Sequence, residues 1–180
     1  MILSELKGFL ISNEQPIYTS ANTVIYQAIQ EETQKKVLLK QPAIKFPPES
    51  VLENFKKEFQ FGKLLYNSFP DNFVQIHDLL ETETSLVLVQ TSESDSLDKI
   101  LLEPNMNLER KLEIALLMTE ALKNLHSLNI IHRDIKPSNF VMDSEKKTPK
   151  LIDFGISVMV SRKSPSVPCK TPTGTFHFMR

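Results

Sequence analysis

The polar stretch at residues 91–96 contains no apolar residue and divides the sequence into two halves with different hydrophobic patterns. Before it, short β-branched and aliphatic runs alternate with polar turns, which is typical of antiparallel strands. After it, apolar residues recur at helical spacing. We therefore predict an α+β chain with a small β lobe at 1–90, a linker at 91–96 and a mainly helical lobe at 97–180.

The β lobe is predicted to hold about five strands and one helix. The helix is expected over 50–66, because two prolines precede it and Leu52, Phe55 and Phe59 follow helical spacing. The strand candidates are FLI at 9–11, TVIYQAI at 23–29, KKVLLKQ at 35–41, and the runs 73–80 and 86–90.

In the second half, Asn107 is a candidate N-cap for a helix over 108–128. An apolar stripe along this segment predicts that the helix is largely buried. The stripe comprises Leu108, Leu112, Ala115, Leu116, Thr119, Leu122 and Leu125. Beyond 161 the chain is rich in Ser, Thr, Pro and Lys, which predicts a mobile loop.

The composition is that of an ordinary globular chain and excludes several classes of protein. The 180 residues are 41% hydrophobic and 24% charged, with a formal net charge of -1, so nothing indicates wholesale binding to nucleic acid. The single cysteine, Cys169, cannot form an internal disulfide, which favours a reducing, cytoplasmic location. Glu5 and Lys7 interrupt the N-terminal segment, so we expect no signal peptide, and no apolar run is long enough to span a bilayer.

The most informative segment is IHRDIKPSN at 131–139, followed fourteen positions after Asn139 by Asp153. A hydroxyl nucleophile needs a carboxylate such as Asp134 to accept its proton, and a migrating phosphoryl group needs a cation such as Lys136. Carboxylate and amide oxygens are the ligands that Mg²⁺ prefers. This set of residues therefore favours phosphoryl transfer.

Both motifs resemble those of the eukaryotic-type Ser/Thr protein kinase family, His-Arg-Asp-x-x-x-x-Asn and Asp-Phe-Gly. The resemblance implies a protein-kinase-like bilobal fold, with ATP and Mg²⁺ as cofactors. It assigns Asp134 as the catalytic base and Lys136 as the partner of the γ-phosphate. Asn139 and Asp153 would be the Mg²⁺ ligands.

Several neighbouring residues have less specific roles. We expect His132 to support the catalytic loop rather than to transfer protons, and His126 to pack at a helix end. Arg133 would pair with a phosphorylated Ser or Thr in the loop after Gly155, although those residues equally fit an ordinary loop composition. Four scattered histidines and one cysteine predict no transition-metal site.

The first half carries the nucleotide-binding residues that the resemblance implies. The run VLLK ends in Lys40, which matches the family's strand lysine that reaches the α- and β-phosphates. Glu58 is its expected partner in preference to Glu53, with a solvated helix carboxylate as the alternative. The family's usual hinge spacing places Val89 behind the adenine and the hinge at 90–92.

The phosphate-covering loop departs from the family pattern. Its three glycine positions fall on Tyr18, Ser20 and Thr23, and no glycine lies between residues 11 and 30. Glycine lets backbone N-H groups approach phosphate oxygens with positive φ, so this loop must rely on small side chains, Ser20 among them, and on Asn22 in a left-handed conformation. We therefore expect nucleotide to be held less tightly.

The glycine-less loop and the segment GTFHFM at 174–179 resemble one branch, the N-terminal kinase-like domain of large bacterial hybrid signalling proteins. In these, the domain precedes an ATPase-like module, a GAF sensor and often a histidine kinase. The Pro-Glu and large-lobe helices that follow in the family are absent from the sequence. We therefore expect an incomplete large lobe, a truncated activation segment and further domains in a longer parent chain.

The resulting functional prediction is a Ser/Thr protein kinase domain that transfers the γ-phosphoryl of ATP to a protein hydroxyl. The intact Lys40, Asp134, Asn139 and Asp153 favour this enzyme. A pseudokinase-like module that binds nucleotide or a partner without turnover is the alternative, favoured by the missing glycines. Phosphorylation of a small molecule is a third reading, which the IHRDIKP form of the loop disfavours.

Overall fold

The computed structural model describes residues 6–104, 106–143, 145, 147–161 and 173–178. The chain forms two compact units. The first comprises Met1–Lys63 and Gln75–Ser92, and the second comprises Leu64–Val74 and Glu93–Arg180. The last boundary between the units, between Ser92 and Glu93, therefore lies within the linker predicted at 91–96. The loop predicted beyond 161 lies mostly outside the described residues.

The first unit is built on an antiparallel sheet in the order β1-β3-β4-β6-β5, with β2 paired to the rest of β3. The strand predicted at 73–80 begins too early, because β5 starts at Ile76. Phe73 belongs to the second unit, where it forms a β-bridge with Leu151. The strands are β1 (Phe9–Ile11), β2 (Tyr18–Thr19), β3 (Thr23–Gln30), β4 (Lys36–Pro42), β5 (Ile76–Glu81) and β6 (Leu86–Thr91).

Helix α1 (Glu49–Ser68) begins after Pro48, whose carbonyl accepts the N-H of Val51. Phe55 of α1 packs on one face of the sheet against Ile76, Leu86 and Leu88. Gly62 allows this close approach, because a Cβ there would overlap the side chain of Ile76. The opposite face carries a second cluster, formed by Tyr26, Ala28, Val37, Leu39, Val87 and Val89.

The described residues of the second unit include the end of α1, two further helices and two small antiparallel ladders. Helix α3 begins as predicted, since the side chain of Asn107 accepts the backbone N-H of Arg110 at 2.8 Å. In the ladders, β7 pairs with β10 and β8 pairs with β9. The elements are α2 (Leu97–Ile100), α3 (Leu108–Ser127), β7 (Ile130–Ile131), β8 (Phe140–Met142), β9 (Pro149–Leu151) and β10 (Val158–Met159).

The prediction that α3 is largely buried is wrong. Its buried residues are Ile114, Ala121 and Leu125. Three leucines of the predicted stripe are exposed instead, Leu108 by 72%, Leu112 by 58% and Leu116 by 72%. The helix carries two apolar stripes at helical spacing, and the one through Ile114 lies on the side that contacts β7 and β9. Periodicity alone does not distinguish the two stripes.

Residues 93–96, the second part of the linker, lie along β8. Ser94 N donates to the carbonyl of Met142 at 3.0 Å, and Met142 N donates to the carbonyl of Asp95 at 3.1 Å. A bridge between Ser96 and Val141 continues this pairing. Within the described ranges, no helix is both long enough and apolar enough to cross a membrane.

Candidate active site

Lys40 and Glu58 form a buried ion pair in the first unit. Lys40 lies opposite Leu88 in the β4–β6 register, and Leu88 packs with Phe55 of α1. Glu58 follows Phe55 by about one helical turn, so it leaves α1 on the same side. Lys40 Nζ lies 2.7 Å from Oε1 and 2.8 Å from Oε2 of Glu58, and the two residues are only 8% and 3% exposed. Glu58 is therefore not a solvated carboxylate, whereas Glu53 is exposed.

In the second unit, the loop between β7 and β8 brings together three predicted catalytic residues. Asp134 Oδ2 lies 2.6 Å from Lys136 Nζ and accepts a hydrogen bond from Asn139 Nδ2 at 3.0 Å. Asn139 Nδ2 also donates to the carbonyl of Asp134 at 2.8 Å. A short 3-10 turn at Pro137–Asn139 ends the loop and places Asn139 beside Asp134.

Thr175 completes this cluster and was not predicted from the sequence. Its backbone N-H donates to Asp134 Oδ1 at 2.7 Å, and its Oγ1 accepts from Lys136 Nζ at 2.6 Å. Gly174 is needed for this approach, because its φ is +118° and a Cβ would lie 2.5 Å from the carbonyl oxygen of Arg133. The only sequence signal was the Gly-Thr pair, whose contact with a loop 39 residues earlier has no periodic or local signature.

Asp134 is an ionised carboxylate at neutral pH. Burial raises its pKa, but hydrogen bonds from Lys136 and Thr175 and the charge of Lys136 outweigh burial and hold the pKa below its usual range. The group can therefore accept a proton and is kept in a fixed orientation by its three neighbours.

His132 connects the catalytic loop to the segment that carries Asp153. It is 1% exposed, its Nδ1 accepts the backbone N-H of Asp134 at 3.2 Å, and its Nε2 donates to the carbonyl of Ile152 at 2.9 Å. Burial lowers its pKa despite the carbonyl of Ile152 and the nearby Asp153 and Asp134. A neutral ring with both nitrogens engaged supports the loop, in agreement with the expected role. The Phe154 ring packs edge-on against it, with centroids 5.3 Å apart.

Two residues at this site have a left-handed backbone. Arg133 has φ of 74° and Asp153 has φ of 69°. Such conformations are strained for residues other than glycine and persist where the surrounding structure fixes them. The buried His132 lies directly before Arg133 and bonds to the carbonyl of Ile152, the residue directly before Asp153, so it contacts the chain beside both conformations.

Asn139 and Asp153 lie at the same end of the β8–β9 hairpin. Phe140 pairs with Leu151, and the next backbone pair joins Ile152 N to the carbonyl of Asn139 at 3.0 Å. Within the described ranges, no group of three or more His, Cys, Asp or Glu side chains is placed to hold a metal. Magnesium at a phosphate needs fewer protein ligands, and the amide oxygen of Asn139 with the carboxylate of Asp153 are suitable hard donors.

The remaining predicted nucleotide residues lie in the first unit. Val89 is buried on β6 and packs in the cluster with Leu39. Ser20 lies in the turn between β2 and β3, where its N-H donates to the carbonyl of Thr23 at 2.8 Å. The expectation of a left-handed Asn22 is wrong, because its φ is not positive. Hydrogen bonds of the Ser20 side chain close the turn instead.

Comparison with known proteins identifies a family for almost the whole chain. The family model of the protein kinase domain matches residues 16–180. A protein kinase and PP2C-like domain-containing protein of Arabidopsis thaliana is 31% identical over 79% of this chain and 21% of its own length. Serine/threonine-protein kinase ELM1 of Saccharomyces cerevisiae is 50% identical over 27% of this chain and 8% of its own.

The calcium/calmodulin-dependent protein kinase type IV of Mus musculus is 30% identical over 93% of this chain and 34% of its own length. The chain thus spans well under half the length of each of these three relatives. The family match and the antiparallel sheet with α1 confirm the predicted α+β, protein-kinase-like fold class. The chain belongs to the protein kinase family.

Proposed function

We propose that the chain is the catalytic portion of an ATP-dependent Ser/Thr protein kinase. The arrangement around Asp134 is the observation that carries this proposal, because an ionised carboxylate lies 2.6 Å from a lysine ammonium. A carboxylate that takes a proton, next to a cation that stabilises a migrating phosphoryl group, is the minimum that this transfer requires. The relatives named as serine/threonine kinases support hydroxyl side chains of proteins as substrates.

In the proposed step, a substrate hydroxyl oxygen attacks the γ-phosphorus of ATP. Its proton passes to a carboxylate oxygen of Asp134, and the bond from the γ-phosphorus to the β–γ bridging oxygen breaks, so that ADP leaves. Lys136 would stabilise the charge on the transferred group. Thr175 and Asn139 would keep Asp134 oriented toward the hydroxyl, since both donate to its carboxylate.

The residues fit the cofactors that the family uses. Lys40, held by Glu58, is proposed to bind the α- and β-phosphates, while Val89 and the turn at Ser20 would lie near the adenine and the phosphates. Asn139 and Asp153 are proposed to hold Mg²⁺. When bound, this ion neutralises charge on the phosphate oxygens.

We also propose that the chain belongs to a longer signalling protein of the bacterial hybrid type, located in the cytoplasm. The glycine-less loop and the GTFHFM segment support this proposal. A parent gene that encodes ATPase-like, GAF and histidine kinase modules downstream would agree with it. A parent without any of these modules would contradict it.

The alternative function is a nucleotide-binding module without turnover. It is favoured by the turn between β2 and β3, whose backbone N-H of Thr23 bonds to the Ser20 hydroxyl within the turn. The two functions are distinguished in the full-length protein by the variant Asp134→Asn, with the exposed Asp98→Asn as the matched control. For an enzyme, Asp134→Asn lowers phosphate transfer to a protein substrate by roughly 10²-fold to 10⁴-fold and leaves ATP binding nearly unchanged. Transfer that is unchanged in Asp134→Asn, or absent from the wild type, would contradict the enzymatic proposal.

A further inference from the structure

The turn between β2 and β3 is closed by hydrogen bonds among its own residues. Ser20 Oγ accepts the backbone N-H of Thr23 at 3.1 Å and that of Asn22 at 3.4 Å. Ser20 Oγ donates to the carbonyl of Thr23 at 3.3 Å, and Ser20 N donates to the same carbonyl at 2.8 Å. Three of the four backbone N-H groups of residues 20–23 are therefore used inside the turn.

The turn is also fixed from its outer side. The carbonyl of Asn22 accepts the N-H of Ala43 at 3.0 Å, just beyond the end of β4. None of residues 18–23 has a positive φ. The backbone therefore lacks the left-handed conformation that would turn successive N-H groups toward one anion.

This arrangement conflicts with the task of a phosphate-covering loop. Such a loop binds the β- and γ-phosphates through backbone N-H groups that point at the phosphate oxygens. In this chain the hydroxyl oxygen of Ser20 already accepts the backbone N-H groups of Asn22 and Thr23. A phosphate oxygen would have to displace this hydroxyl before it could bind them.

We propose that Ser20 is an internal competitor of phosphate, which limits the affinity of this chain for the β- and γ-phosphates of ATP. The proposal rests on the proposed function, since it concerns the same nucleotide. A charged phosphate is a stronger acceptor than a hydroxyl. Removal of the hydroxyl therefore tightens nucleotide binding, whereas the loss of a merely structural hydrogen bond would loosen the turn and weaken binding.

The test measures the dissociation constants of Mg·ATP, Mg·ADP and AMP by calorimetry in the wild type, Ser20→Ala and Ser20→Gly. Thr33→Ala, on an exposed residue of the turn between β3 and β4, is the matched control. We expect Ser20→Ala to bind Mg·ATP roughly tenfold more tightly, because about one charge-assisted hydrogen bond is gained. Ser20→Gly should gain at least as much, while the affinity for AMP and the affinities of the Thr33→Ala control stay unchanged.

Amide exchange by NMR tests the turn itself. In Ser20→Ala, the Asn22 and Thr23 amides should exchange faster than in the wild type, while the Ala43 amide stays protected. Unchanged exchange at Thr23 would overturn the proposal, because the hydroxyl would then not be holding that N-H. Thermal unfolding by circular dichroism establishes that each variant is folded.

The outcomes separate this inference from the proposed function. Unchanged or weaker Mg·ATP binding in both Ser20 variants, with wild-type binding that Lys40→Met abolishes, overturns the inference and leaves the kinase proposal intact. An equal gain for AMP also overturns it, because AMP lacks both outer phosphates. Binding that appears only in Ser20→Gly also overturns the inference, because Ser20→Ala removes the same hydroxyl and the gain would then come from the backbone freedom of glycine. Absence of binding in every folded variant overturns both.

Discussion

Lys40 donates hydrogen bonds from Nζ to both carboxylate oxygens of Glu58, at 2.7 and 2.8 Å, inside the first unit. Loss of one partner from a buried pair costs about 3–5 kcal/mol, because the other charge stays out of water without it. Lys40→Met should therefore lower the free energy of unfolding by about that amount and weaken Mg·ATP binding. Urea denaturation and calorimetry measure the two effects separately.

A double variant separates the stability of this pair from its function. Lys40→Met with Glu58→Met should recover most of the lost stability, since two apolar side chains replace two buried charges, and should still bind Mg·ATP weakly. Lys56→Met is the matched control, because Lys56 forms an exposed pair with Glu49 at 3.3 Å and should cost less than about 1 kcal/mol. Wild-type affinity in the double variant would remove Lys40 from the nucleotide site.

The hydroxyl of Thr175 provides a second prediction, because it accepts from Lys136 while the backbone N-H of Thr175 binds Asp134. Thr175→Val removes the hydroxyl and keeps the backbone donor, so turnover should fall roughly tenfold. The pKa of Asp134 should rise toward its usual value, since a hydrogen bond that lowers it is lost. Activity should then decline at a higher pH as the medium is acidified.

Thr175→Ser is the control for that prediction, because it restores the hydroxyl. Its turnover and the carboxyl titration of Asp134, followed by carbon NMR, should match the wild type. Identical titration curves in Thr175→Val and Thr175→Ser would show that the hydroxyl does not act on Asp134.

His132 predicts a pH dependence of stability. Its pKa is lowered by burial, so the unfolded chain binds the proton more readily than the folded chain. The contribution of neutral His132 to the unfolding free energy is complete above a pH of about 6.5 and is lost as the pH falls below that value. The unfolding free energy then falls by at most about 1.4 kcal/mol per pH unit. His132→Gln should flatten the plot of unfolding free energy against pH below about pH 6.5. His77, whose pKa burial also lowers, would leave a residual slope.

The control is His126→Gln, since His126 is exposed on α3. Its unfolding free energy, measured by urea denaturation at several pH values, should follow that of the wild type. A His132→Gln variant that is folded and keeps the full wild-type slope would assign the pH dependence to other groups.

The sequence predicted those parts of the fold and site that local pattern determines. β-branched runs predicted the strands of the first unit, and the helical spacing of Glu58 from Phe55 selected the correct carboxylate. Asp134, Lys136 and Asn139 lie within six residues of one another, so one short loop brings them together.

Features that depend on contacts between residues distant in sequence could not be predicted from local sequence pattern. Thr175 meets Asp134 across 41 residues, and nothing in the intervening composition indicates the contact. Phe73 looked like the start of a strand, but its ring packs against Phe154 with centroids 5.9 Å apart. The turn between β2 and β3 was expected to close through a left-handed Asn22, but it closes through hydrogen bonds to the side chain of Ser20. A side-chain hydrogen bond and a positive φ are alternative ways to close a short turn.

A cluster of three charges fixes the linker segment to the β8–β9 hairpin and gives a further prediction. Lys150 Nζ lies 3.0 Å from Glu93 and 2.8 Å from Asp143, and all three side chains are largely buried. Burial lowers the pKa of Lys150, but the hydrogen bonds with Asp143 and Glu93 outweigh burial. The pKa is therefore raised above its usual value, and the lysine stays charged. Lys150→Met should cost about 3–5 kcal/mol at neutral pH.

Lys99→Met is the control, since Lys99 forms an exposed pair with Asp95 at 3.3 Å. Urea denaturation at pH 7 measures the unfolding free energies of both variants. An equal loss in both lysine variants would show that the buried cluster contributes no more than an exposed pair.

The exposed stripe of α3 gives the last prediction. Leu112 and Leu116 lie on one face of the helix and are 58% and 72% exposed, whereas Ile114 is buried. In the 180-residue chain, Leu112→Gln with Leu116→Gln should change the unfolding free energy by less than about 0.5 kcal/mol per site, because both residues stay mostly exposed in the folded chain. Ile114→Ala should cost about 2–5 kcal/mol. The double variant should also associate less than the wild type in light scattering, since contiguous exposed apolar surface drives association. A large loss of stability in the double variant would place these leucines in the core, as the sequence pattern had predicted.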